Sequence, residues 1–88
     1  MSADAPTVLQ TGPEDFEVWA GGGRRRVRLA HRTRRGLGLA GVPPVEVVRE
    51  MIRFLVERDD LGDADPLDLG PAVGRHAEAV EELRARLG

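Results

Sequence analysis

The sequence predicts an α+β fold: an N-terminal β-hairpin packed on a long central helix, with one or two C-terminal helices closing the other side. Three observations carry this. Two short strand-like runs, Phe16–Ala20 and Arg25–Ala30, flank the glycine triplet Gly21-Gly22-Gly23. Pro44–Arg58 repeats its apolar residues at helical spacing. Beyond an aspartate-rich loop, Asp68–Leu87 returns to helical spacing.

Taken in order, residues 1–13 are small and polar, with Pro6, Gly12 and Pro13. They read as a flexible arm that only Val8 and Leu9 could tack down, ahead of a single α+β domain over residues 14–88. In the hairpin, the triplet supplies the positive φ of a tight turn. Strand alternation places Phe16, Val18, Val27 and Leu29 inward. Trp19 falls on the opposite face, among Arg26 and Arg28. Residues 31–41, with Gly36, Gly38 and Gly41, disfavour a long helix. One or two turns over Arg32–Leu39, presenting Leu37, are expected there.

The central helix organises the rest. Pro44 suits a first helical position, where its missing N–H costs nothing. Val45, Val47, Val48, Met51, Ile52, Phe54, Leu55 and Val56 cover roughly 200° of its circumference. An ordinary surface helix carries a stripe only somewhat over 100° wide. This helix therefore needs neighbours on two sides, or a second copy of itself. Glu50–Arg53 and Arg53–Glu57 can pair weakly on the polar arc. Asp59–Pro66 is a loop by composition. A helix restarts at Asp68-Leu69-Gly70-Pro71, Gly74 interrupts it, and a last helix runs over Arg75–Leu87. There His76, Val80, Leu83 and Leu87 form a stripe, and Glu82–Arg86 is a favourable pair. The expected core centre is Val48, Met51, Ile52 and Leu55 with Leu83 against them.

Composition sets the class. Eighty-eight residues make one domain, small enough that homodimerisation would usefully cover apolar surface. Cysteine is absent, which excludes disulfides and thiolate chemistry. No signal peptide and no membrane-spanning stretch is legible, so the expected location is cytoplasmic with no membrane partner. All 13 basic residues are arginine, with no lysine, asparagine or tyrosine. Those absences fit a GC-rich bacterial genome, which makes arginine abundance partly a matter of codons.

Catalytic and cofactor motifs fail one by one, and neither an enzyme nor a cofactor is expected. Gly36-Leu37-Gly38-Leu39-Ala40-Gly41 matches G-x-G-x-x-G, but the helix begins beyond the last glycine and no parallel strand carrying an acid follows. Asp59, Asp60, Asp63, Asp65 and Asp68 lack EF-hand spacing. His31 and His76 sit in no metal motif, and Ser2 is the only serine.

Charge distribution is more telling than the net −2. Residues 1–23 hold four acids and no base, residues 24–35 seven arginines and no acid, and residues 36–88 six arginines and eleven acids. Arg24, Arg25, Arg26, Arg28, Arg32, Arg34 and Arg35 repel one another unless anions sit nearby. Either Glu14, Asp15, Glu17 and the acidic loop fold over them, or they meet an anionic partner, an acidic protein surface or nucleic acid. The leading functional expectation is a small non-catalytic interaction module with an acidic partner.

Two resemblances bear on this. Arg26–Arg58 resembles a ribbon-helix-helix DNA-binding unit, with Val27–Ala30 as strand, Arg32–Leu39 as first helix, Gly41-Val42-Pro43-Pro44 as turn and Glu46–Arg58 as second helix. The resemblance implies a dimeric transcription regulator or antitoxin that pairs its strands and reads DNA through Arg26 and Arg28. Residues 16–87 are also similar to small uncharacterised bacterial hairpin-plus-helix proteins, through Phe54, Leu55, Glu57, Arg58, Asp68 and Leu69. That likeness implies a compact α+β module and no activity.

Overall fold

A computed structural model describes residues 6–20 and 22–88. The fold is α+β, as expected. Strands β1 (Thr7–Gln10), β2 (Asp15–Ala20) and β3 (Gly23–Arg28) form an antiparallel meander. After α1 (His31–Gly36) and α2 (Pro44–Glu57), the two-residue strand β4 (Leu67–Asp68) joins β3 in parallel, giving the order β1-β2-β3-β4. Helices α3 (Leu69–Gly74) and α4 (Ala79–Leu87) complete the chain.

The hairpin register places Phe16 opposite Val27 and Trp19 opposite Arg24. Opposed residues share a face. Phe16, Val18, Val27 and Leu29 are therefore buried together, while Trp19 stays 40% exposed on the face that carries Arg26 and Arg28. The return strand is shifted from expectation: it starts at Gly23 and ends at Arg28, with Leu29 leaving the ladder but still buried. Gly22 takes a φ of 83° in the turn, and Gly21 lies outside the described residues.

The flexible arm expected over residues 1–13 is corrected within Thr7–Gln10, which pair with β2 from Thr7↔Trp19 to Gln10↔Phe16. Val8 packs against the core on the inner face, and Arg49 Nε of α2 donates to the Pro6 carbonyl at 3.3 Å. Composition could not reveal this strand. Its pairing energy comes from β2 and α2, not from its own four residues. The arm's residues 1–5 lie outside the described residues.

The wide apolar arc of α2 is filled within one chain. Val47, Val48, Met51, Ile52, Phe54 and Leu55 are all 0–1% exposed, between the sheet on one side and α3 and α4 on the other. Leu83 of α4 and Leu69, Ala72 and Val73 of α3 join the same cluster. Val56, at the arc's margin, remains 49% exposed. The last helix starts at Ala79 rather than Arg75, so Ala79 and Leu83 face inward and Val80 faces out, 44% exposed.

Helix ends explain the glycine run. After α1, Gly38 adopts φ 74°, Gly38 N–H donates to Arg35 O at 3.0 Å and Leu39 N–H to Arg34 O at 2.9 Å. This is a Schellman cap. The glycine of the G-x-G-x-x-G match stops a helix and turns Leu39, 1% exposed, into the core. The same cap closes α2: Asp59 has φ 52°, Asp59 N–H donates to Val56 O at 3.0 Å and Asp60 N–H to Leu55 O at 2.9 Å.

A charged lattice clamps α4 onto α2. Arg86 reaches Glu50 at 3.4 Å, Glu57 at 2.6 Å and Glu82 at 2.7 Å. Arg58 lies 3.6 Å over the Phe54 ring while bonding Glu78 at 2.9 Å and Glu82 at 2.7 Å. The expected Glu82–Arg86 and Glu50–Arg53 pairs form, the latter at 3.2 Å, but Glu57 goes to Arg86 instead of Arg53. Among the described residues no helix is long and apolar enough to cross a membrane.

Candidate functional site

The seven arginines of residues 24–35 do not act as one surface. The strand and helix that carry them divide them into two sets. Four are engaged with this chain's own oxygens. Arg25 sits on the inner-face parity of β3, at the sheet's margin, and its guanidinium donates to the carbonyls of Leu61 at 3.1 Å and Gly62 at 2.6 Å. Gly62 has φ 69°, which lets the loop turn there. Arg26, on the outer face, bonds Asp65 at 3.1 Å, with both side chains more than half exposed. Arg28 lies 3.6 Å from Glu14 and 3.8 Å from Asp15. Arg34 turns back from α1 to cap the following loop, with Nη2 donating to Ala40 O at 3.0 Å and Val42 O at 3.1 Å. Its Nε is buried without a partner.

Arg24, Arg32 and Arg35 are exposed and have no acid within ion-pair distance among the described residues. Arg24 stands at the hairpin end, across from Trp19. Arg32 and Arg35 are three residues apart on α1, so they share one helix face. They line an open cleft of about 500 Å³ with Arg28, His31, Ala30, Glu14 and Asp68. The cleft sits where β3 hands over to α1, beside β4.

Two acids temper this cleft, and one is already committed. Glu14 accepts the His31 backbone N–H at 2.9 Å, and that bond, with the charges of His31 and Arg28 in support, holds its carboxyl below the ordinary glutamate range. Asp68 is opposite Arg28 in the parallel pair β3–β4. Arg28 is thus both paired with Glu14 and Asp15 and part of the cleft lining.

The sequence gathers the seven arginines into one segment and does not show how the fold divides them. Glu14 as a cleft wall was within reach: the alternation that pairs Asp15 with Arg28 puts Glu14 next to Leu29 and the start of α1. Asp68 was not, because it arrives from a strand 40 residues away. No group of three or more His, Asp or Glu side chains comes together as a metal site among the described residues. Comparison with known proteins found no matching family model, no matching curated relative and no matching solved structure.

Proposed function

We propose that this chain is a small, non-catalytic, cytoplasmic interaction module that receives an acidic protein surface in the cleft of Arg28, Arg32 and Arg35. The observation that carries it is the partition itself. The acidic loop, Glu14 and Asp15 engage Arg25, Arg26 and Arg28, while Arg32 and Arg35 of α1 have no acid within ion-pair distance among the described residues and line the same cleft as Arg28. Guanidiniums so placed can grip carboxylates bidentately.

Nucleic-acid readout in the ribbon-helix-helix manner would use β3 differently. It requires β3 to pair with its own copy, whereas β2 occupies one of its edges and β4 the other at Val27 and Arg28. It also needs Arg26 free to reach bases, and Arg26 is engaged by Asp65.

The test compares binding of polyglutamate and of random duplex DNA at near-physiological salt, for the parent and for Arg32→Ala/Arg35→Ala. Polyglutamate binding that the double variant loses, and that Arg24→Ala retains, supports the proposal. A DNA motif enriched by the parent and lost in Arg26→Ala/Arg28→Ala would replace it with the DNA-binding alternative.

A further inference from the structure

β1 is an outer strand, and among the described residues only β2 pairs with it. Backbone alternation shows which of its groups face outward. Leu29 N–H donates to Glu14 O at 2.9 Å, so even-numbered residues at this end of β2 bond toward β3. Thr11 N–H donates to Asp15 O at 2.8 Å, so odd-numbered ones bond toward β1. Antiparallel ladders alternate in this way. With Thr7 opposite Trp19 and Leu9 opposite Glu17, the backbone groups of Thr7 and Leu9 are used inside the sheet. Those of Val8 and Gln10 point out of its edge. The Pro6 carbonyl has the same outward parity, and Arg49 already holds it at 3.3 Å. Among the described residues the edge is therefore closed at Pro6 and open over Val8–Gln10.

Open edges are ordinarily guarded by charge, by a proline within the strand or by a bulge. Here residues 5–13 carry no charge at all. Leu9 on the outer face is 54% exposed, and Trp19, its diagonal neighbour on β2, is 40% exposed.

We propose that this edge pairs, antiparallel about a two-fold axis, with the same edge of a second copy, Leu9 opposite Leu9. Two features select that occupant and register. Directly opposed residues share a sheet face, so outward Leu9 can meet Leu9, Thr11 or Thr7 of the other copy, and the Thr11 register sets Val8 against Gly12, whose N–H already donates to Asp15 O at 3.1 Å. The Leu9 register pairs the free groups of Val8 with those of Gln10 in both directions. The Thr7 register sets Gln10 against Pro6, which has no N–H and a carbonyl already occupied. Charge supplies the second feature. A strand from an acidic protein would bring its carboxylates beside Glu17, the residue paired with Leu9, while the arginines lie two strands away on β3. A neutral strand meets no such cost, and this chain's own β1 is one. The two-fold merges the Leu9 and Trp19 side chains of both copies into one apolar patch. It leaves each Arg32–Arg35 cleft free at the outer end of a continuous sheet, so the dimer is bivalent. The dimer stands whether or not that cleft takes an acidic protein.

Sedimentation equilibrium tests the pairing, because the parent should approach twice its 9.6 kDa chain mass at high concentration. Leu9→Glu should be monomeric with an unchanged circular dichroism spectrum, since Leu9 makes no core contact. Gln10→Pro, which removes an outward N–H, should weaken association in the same direction. The chain has no cysteine, so single replacements report the register. Leu9→Cys should form a disulfide dimer on mild oxidation, because Cα atoms of a directly opposed pair lie about 4.5–5.5 Å apart, whereas Thr7→Cys should not. A parent that stays monomeric at roughly millimolar concentration would overturn the proposal. So would a dimer indifferent to both Leu9→Glu and Gln10→Pro, or one that cross-links through Thr7→Cys and not Leu9→Cys.

Discussion

Leu55→Ala measures whether α2 is the organiser of this fold. Leu55 is 0% exposed on the inward face of α2, between the sheet and the C-terminal helices. Truncation removes its transfer energy and leaves a cavity, and such changes cost about 2–5 kcal/mol. The total stability of a chain this size is roughly 4–13 kcal/mol. One methyl-bearing branch therefore represents a large fraction of it. At about 4–8 °C per kcal/mol, a middle value near 3 kcal/mol lowers the melting midpoint by roughly 12–24 °C. The control is one residue away. Val56 is 49% exposed on the same helix, so Val56→Ala should fall within about 0.5 kcal/mol of the parent. Urea unfolding followed by far-UV circular dichroism reads both, with an unchanged m-value confirming that the unfolded reference has not moved. Equal midpoints for Leu55→Ala and Val56→Ala would refute the inward orientation of α2. A loss well under 1 kcal/mol at Leu55 would show that the site can collapse and that the core is not tightly packed.

Two further outcomes follow from local chemistry. Asp59 holds the left-handed position of the cap that ends α2, so Asp59→Gly should raise stability by up to about 1 kcal/mol in urea unfolding, and Asp59→Val should lower it. The acid limb of stability should trace to Asp60, Glu78 and Glu82, together with Glu14. Hydrogen bonds from His76 and Arg75 hold Asp60 below its ordinary value, Arg58 does so for Glu78, and Arg86 for Glu82. A carboxylate lowered on folding contributes fully above its unfolded value and loses that contribution as pH falls through the folded one. Asp60→Asn should therefore lower the urea midpoint at neutral pH and converge with the parent in acid. A constant gap across that range would assign the loss to packing instead.

What the sequence determined by itself is what short-range periodicity can encode. The alternation of Phe16, Val18, Val27 and Leu29 and the apolar arc of Val47–Leu55 were readable, because each follows from a fixed repeat of side-chain direction. The inward set and the core centre emerged as expected. The tertiary structure alone decided where neighbours arrive from. Thr7–Gln10 has too little patterning to announce a strand, and becomes one only because β2 offers an edge and Arg49 a donor. In the final helix, which starts at Ala79, packing on α2 rather than the stripe of His76, Val80, Leu83 and Leu87 selects which residues face inward. The candidate site shows the same division most sharply. A count of seven arginines is a property of the chain, but the engagement of Arg25, Arg26 and Arg28 is set by Leu61, Gly62, Asp65 and Glu14. Three of those four lie more than 30 residues from the arginine they engage. Coulombic pairing and hydrogen bonding act through space, and no local repeat in the sequence carries that distance.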